Sequence, residues 1–264
     1  MELGLLQYLL GAASGAVVGL SLALVGGGGS ILAVPLLVYL VGVGQPHLAI
    51  GTAALAVAAN AAQGLWQHAR RGNVRWPCGG VFAAVGAVGA WGGSTLGKAV
   101  DGQALLALFA VLMLVVAGLM FRHRRAEGDP SARLGRENAP RLFGSGLVAG
   151  GVAGFFGIGG GFLIVPSLMW SARLPILLAI GSSLVAVTAF GLTTALNYAR
   201  SGWVDWTLAA VLIGGGWLGS QLGASSASRL AARRGTLNIV FASIIVVVAV
   251  YMLYRSLPEL GLLA

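Results

Sequence analysis

Six stretches of this chain, 48–69, 79–98, 104–122, 177–199, 205–227 and 236–255, run for about twenty residues with charge only at their ends. A helix needs roughly 20 apolar residues to cross about 30 Å of hydrocarbon. Each stretch is closed off by charge or by turn residues such as Gly-Gln-Pro (44–46) and Ser-Gly (201–202). Composition leaves no other class open. The chain is 58% hydrophobic and 9% charged, with mean hydropathy +0.91, whereas a soluble domain carries about 25% charged residues. Disorder needs the opposite balance. The single cysteine, Cys78, excludes a disulfide framework, a CxxC redox pair and a cysteine-based metal site. The sequence therefore predicts an all-α polytopic membrane protein, with lipid as its surroundings and no cofactor or metal.

Two further stretches, 3–43 and 142–172, are apolar but interrupted by glycine clusters, VGGGGS at 25–30 and GIGGG at 157–161. The first is too long for one straight span. Residues 1–24 lack the basic start of a secretory signal, beginning Met-Glu, and the same stretch recurs later, so they read as a retained part of the fold.

The recurrence is general. GGGSILAVP (27–35) lies over IGGGFLIVP (158–166), LAIGT (48–52) over LAIGS (178–182), and ARRGNVRW (69–76) over ARSGWVDW (199–206). Between 48–76 and 178–206 there are 12 identities in 29 gapless positions. The chain reads as two homologous repeats, 1–121 and 142–264, joined by a basic linker at 122–141. Cytoplasmic loops collect Lys and Arg, and the linker holds Arg122, Arg124, Arg125, Arg133, Arg136 and Arg141. If each broken segment crosses once, the repeats are parallel and 11 of the 16 basic residues lie inside. If each is a hairpin or re-entrant, the repeats are inverted and 13 lie inside, leaving Lys98, Arg200 and Arg255 outside. The inverted arrangement is the expected one. On this reading the net charge of +9 records topology and does not point to nucleic acid.

Paired glycine-interrupted segments in two halves are the sequence pointer to a transporter's substrate site. The clusters predict breaks followed by short helices at about 30–43 and 162–172. The N–H groups at such helix starts suit an anion. The candidate groups are Gly28, Gly29 and Ser30 in one half and Gly159, Gly160 and Gly161 in the other. Gly51-Thr52 and Gly181-Ser182-Ser183 begin the next helix in each half, so that four helix starts are expected to converge on an oxyanion. Asn60 and Asn197 add polar side chains within spans. The competing reading is close helix packing through small residues. It is the better one for the scattered Gly86, Gly89, Gly146 and Gly150.

Arg70 and Arg200 match across the repeat as interfacial anchors or entrance guides, and His47 and His68 sit at a loop and a span end. The carboxylates Asp101, Asp205 and Glu259 all lie at boundaries, which gives a proton relay no support. There is no HExxH, GxSxG or P-loop, so the chain reads as a non-enzyme without an ATP engine.

The glycine break followed by proline, the LAIGT/LAIGS segment and the ARxGxVxW boundary, all present in both halves, resemble the TauE/SafE family of sulfite exporters. The resemblance covers essentially the whole chain. It implies movement of sulfite, sulfonates or related anions across the bacterial cytoplasmic membrane. The two half-sites differ, because Gly26 to Gly29 is followed by Ser30 where the second half has Gly161. Proton- or sodium-coupled uptake of an anion, and a non-transporting membrane scaffold, are the alternatives to export.

Overall fold

The structure is a computed structural model; it describes residues 4–122, 135, 138–159, 161–230 and 234–259. It is helical throughout, and the described helices fall into two series of five. In the first series α1 (Leu5–Val25) is followed by an irregular helix, α2. This joins a 3-10 stretch (Gly26–Leu32), one α turn (Ala33–Pro35) and a π stretch (Leu36–Val41). Then come α3 (Pro46–Arg70), α4 (Trp76–Ala99) and α5 (Gly102–Arg122). The second series is α6 (Ala139–Phe156), α7 (Gly161–Ala172), α8 (Ile176–Ala199), α9 (Trp206–Leu230) and α10 (Arg234–Glu259). Among the described residues, four helices are long and apolar enough to span a membrane on their own: Leu5–Leu24, Pro46–Arg70, Trp76–Ala99 and Ile176–Ala199.

Local chemistry sets the boundaries. Pro stands in the first turn of α3, α4 and α6, where a missing N–H costs nothing. The Asp101 carboxylate accepts from Gln103 N and Ala104 N, and Asp205 Oδ1 accepts from Leu208 N at 2.9 Å, so both acids cap helix starts. The turns between α3 and α4 and between α8 and α9 each contain a glycine in the left-handed region, Gly72 and Gly202.

The broken stretches are hairpins. Gln7 at the start of α1 donates to the carbonyl of Val41 at the end of α2, so α2 returns the chain toward the level where α1 began. In the second series α6 and α7 are separated by four residues, pack on each other and line one cavity together along Arg141–Ala149 and Leu163–Trp170, so α7 folds back alongside α6.

Packing exchanges the series. α1 lies on α9, α4 on α6, α3 on α8 and α5 on α10. Small residues make the first two contacts close. In α1/α9, Gly15 meets Leu212 and Gly19 meets Gly216; in α4/α6, Gly86 meets Gly150 and Ala90 meets Gly154. At each of these points the backbone leaves no room for a Cβ. Gly86, Gly89, Gly146 and Gly150 all lie in the α4/α6 contact, in keeping with packing through small residues. The central pair is antiparallel: Gly51 meets Tyr198 and Trp203, Gly191 meets Ala54 and Ala58, and Gly64 meets Leu184. The third helices of the two series therefore run in opposite senses.

Candidate functional site

The two glycine turns point toward the centre. In the second hairpin, Gly157 and Gly159 both take the left-handed conformation, with φ of 68° and 66°. Gly157 N donates to Gly154 O and Ile158 N to Ala153 O, each at 3.2 Å, which closes the end of α6. Ile158 is fully buried and pins the turn. A Cβ on Gly159 would stand 3.1 Å from Val57 and 3.2 Å from Val187, residues near the midpoints of α3 and α8. Gly161 opens α7, whereas the candidate Gly160 lies outside the described residues.

The first hairpin departs from expectation. The sequence predicts a non-helical break before a short helix at about 30–43, with open amides on Gly28 and Gly29. Instead Gly26–Leu32 continues from α1 as a 3-10 helix. Four glycines carry no side chains to eclipse at the tighter winding of three residues per turn. The π stretch follows directly on Pro35, which donates no amide hydrogen and whose ring crowds the preceding turn. Gly29 presses on the backbone of Ser21 and Leu22, where a Cβ has no space, and Ser30 is fully buried. The 3-10 stretch packs against α7, the helix that follows the second turn, and against α8.

Gly51-Thr52 and Gly181-Ser182 do not join them. They are not helix starts, since α3 begins at Pro46 and α8 at Ile176. Nor do they converge, because α3 and α8 are antiparallel. Gly51 faces Trp203, whereas Gly181 faces Asn73 and His68. The seventeen residues from Gly51 to His68 span about 25 Å at a 1.5 Å rise. At each end the hydroxyl makes a cross-series bond. Thr52 Oγ1 accepts from Asp205 N at 3.0 Å, and Ser182 Oγ accepts from Arg75 N at 2.8 Å. Asp205 and Arg75 directly precede α9 and α4. The LAIGT/LAIGS segment and the ARxGxVxW boundary are thus two sides of one clasp, made twice. Ser183 Oγ donates within its own helix to Ile180 O at 2.7 Å.

Asn197 belongs to a polar cluster at one end of the bundle. Lys98 Nζ donates to Asn197 Oδ1 at 2.7 Å, to its backbone O at 3.1 Å and to Ser201 Oγ at 3.0 Å. Asn197 Nδ2 donates to Ser94 Oγ at 2.6 Å and to Thr95 Oγ1 at 3.0 Å. Sequence reading missed Lys98 as a partner, because nothing in its spacing shows that α4 and α8 touch there. Asn60 lies deep in the bundle on α3, against α9. His47 stacks on Trp203 at 4.7 Å between centroids, and the guanidinium groups of Arg70 and Arg200 lie 4.5 and 4.8 Å over Trp66 and Trp91. Among the described residues no three His, Cys, Asp or Glu side chains gather into a metal-binding group.

A family model described as "Sulfite exporter TauE/SafE" matches residues 11–252. A probable membrane transporter protein of Xylella fastidiosa strain 9a5c is 50% identical over 250 residues, covering 94% of this chain and 95% of the relative. The probable membrane transporter protein YunE of Bacillus subtilis strain 168 is 24% identical over 264 residues, covering 92% and 96%. The probable membrane transporter protein MJ0441 of Methanocaldococcus jannaschii is 27% identical over 186 residues, 67% of each chain. No solved structure matches the chain significantly.

Proposed function

From the premise that this chain belongs to the sulfite exporter TauE/SafE family, and is a multi-pass membrane transporter, we propose that it exports a small oxyanion, sulfite or an organosulfonate, across the bacterial cytoplasmic membrane. The observation that carries the reading is the left-handed glycine turn beside the middle of the antiparallel α3/α8 pair, together with the glycine-rich 3-10 stretch of the first series packed against α7 and α8. Irregular backbone at membrane depth is tolerated where protein or a water-filled cavity covers it, and substrate sites of repeat-built transporters sit at such places. Ser30, the Gly159 turn and the start of α7 at Gly161 are the backbone side of this site. Thr52 and Ser182 accept the clasp bonds and each keeps an O–H donor, but they lie toward opposite ends of the α3/α8 pair and so outside this central site.

The two series act as inverted repeats, 1–121 and 142–264, that rock about the α3/α8 pair to give alternating access. With the basic linker at 122–141 inside, 13 of 16 basic residues share its side. Moving one negative charge outward down a potential of 100 mV, inside negative, is favourable by roughly 2.3 kcal/mol. Export therefore runs without ATP or a coupling ion.

Flux of labelled sulfite and sulfonate from proteoliposomes, with the imposed potential set in each direction, tests this. Flux that follows the potential is expected. Flux that ignores it, or that requires a proton or sodium gradient, overturns the uniport mechanism. No flux of any anion overturns the transport reading.

A further inference from the structure

Asn60 is 2% exposed, and neither its Nδ2 nor its Oδ1 has a hydrogen-bonding partner among the described residues. The amide lies against Gly216 of α9: a Cβ there would collide with Nδ2, Cγ and Oδ1 together. Gly216 in turn closes on Gly19 of α1. Three helices thus meet at a side chain whose polar atoms none of them satisfies. One turn along α3, on the same face, Gln63 Nε2 is also buried without a partner.

The equivalent place in the second series is built from the same backbone with different side chains. At the repeat offset of 130, Asn60 corresponds to Phe190, Gln63 to Thr193 and Gly216 to Gly86. Phe190 lies against Gly86 as Asn60 lies against Gly216, and Gly86 closes on Gly150 as Gly216 closes on Gly19. There the position is satisfied. The Phe190 ring is fully buried beside Phe82, and Thr193 Oγ1 donates to Ala189 O at 2.8 Å. A buried amide left without a partner is costly, and the second series shows that an apolar ring closes the same crossing.

We propose that Asn60 and Gln63 form the polar, side-chain part of the anion site, on the first series only, so that the protein binds a single oxyanion off its pseudo-two-fold axis. The proposal rests on the transport reading given above. Asn60 Nδ2 and Gln63 Nε2 donate to oxygens of the anion, and binding satisfies both unmet donors without placing a cation in the bundle. Asn60 and Gln63 together leave two donors and one acceptor unmet, so donors outnumber acceptors, as an anion requires.

Sulfite titrated into the purified full-length protein, with chloride as control and thermal unfolding as readout, tests it. Sulfite is expected to stabilise the wild-type protein. Asn60→Ala removes an unpartnered amide, so the unliganded variant should unfold no earlier than wild type. Its sulfite affinity should fall at least about tenfold, the loss of one hydrogen bond to a charged group. Asn60→Asp should abolish sulfite binding by repulsion, and Phe190→Ala should leave the affinity unchanged. Asn60→Ser is the second variant for the same loss. Undiminished sulfite affinity in Asn60→Ala, an equal loss in Phe190→Ala, or a new sodium-dependent stabilisation in Asn60→Asp each overturns the proposal and leaves the transport reading standing. Unfolding of both Asn60→Ala and Asn60→Ser overturns it too, because the amide would then be held by the bundle. If sulfite and sulfonates leave the wild-type protein unstabilised and untransported, the transport reading falls and takes the proposal with it.

Discussion

The two hairpins occupy equivalent places and are wound differently. α1 runs into α2 through an uninterrupted 3-10 stretch, whereas α6 stops at two left-handed glycines before α7 resumes as a regular helix. The cause is local. Gly26–Gly29 offer no side chain to anchor, so the chain tightens and carries on winding. In the second turn Ile158 stands between glycines and is fully buried, which fixes a sharp corner around it. The chain reverses once by winding and once by turning, so glycine is required for a different reason in each half.

Substitution separates these reasons. At Gly29 the backbone is not left-handed, but an added Cβ runs into the backbone of Ser21 and Leu22, which cannot step aside as a side chain does. Gly29→Ala is expected to cost about 3 kcal/mol, at the upper end for overpacking. At Gly159 the neighbours are two valine methyls at 3.1 and 3.2 Å, which yield, but φ is 66°. Gly159→Ala should cost about 1–2 kcal/mol, nearly all of it conformational. Thermal unfolding of the two variants in one detergent checks the order. A reversed order would mean that the first hairpin is free to re-wind and the second is the sterically tight one.

Much of this fold was legible in the sequence. The all-helical class and three of the four candidate spans, Pro46–Arg70, Trp76–Ala99 and Ile176–Ala199, follow from the length and apolar character of the stretches 48–69, 79–98 and 177–199. The site was less so, because a repeated motif reads alike whether it binds a substrate or the other half. Gly51-Thr52 and the Arg-x-Gly-x-Val boundary recur together since they touch each other, and only the antiparallel placement of α3 on α8 shows it. Spacing along a helix gives depth but not neighbours. For the same reason Asn60 and Asn197 looked equivalent, although one is gripped by Lys98 and the other meets a glycine.

The clasps sharpen the comparison from the opposite side, as the feature on which the halves agree. Thr52→Ala and Ser182→Ala each remove the acceptor of one backbone N–H at the start of α9 or α4. Each should cost about 1 kcal/mol. Being about 25 Å apart, the two losses should add in the double variant to within a few tenths of a kcal/mol. Unequal losses, or a double variant that departs from the sum, would show that one clasp carries the relative motion of the series. Transport of the single variants separates that from a purely structural seam.

The smallest expected effect concerns where the hairpins end. α2 is closed by Gly42 at φ 82°, a left-handed cap, with Val43 N donating to Leu37 O at 3.0 Å. One repeat length on, at an offset of 131, the corresponding residue is Arg173, and it adopts φ 52°. A side chain in that region costs roughly 1–2 kcal/mol that glycine avoids, against the greater freedom glycine gains when unfolded. Arg173→Gly is therefore expected to stabilise the protein by about 0.5–1 kcal/mol, and Gly42→Arg to destabilise it by a similar amount. Arg173 is exposed and is counted among the basic residues on the linker side, so a second effect is available. If Arg173→Gly stabilises the fold but alters the fraction of molecules inserted in the correct sense, the strained arginine is retained for its charge. If it stabilises the fold with insertion unchanged, the strain has no topological counterpart and the two hairpin ends differ only in their caps.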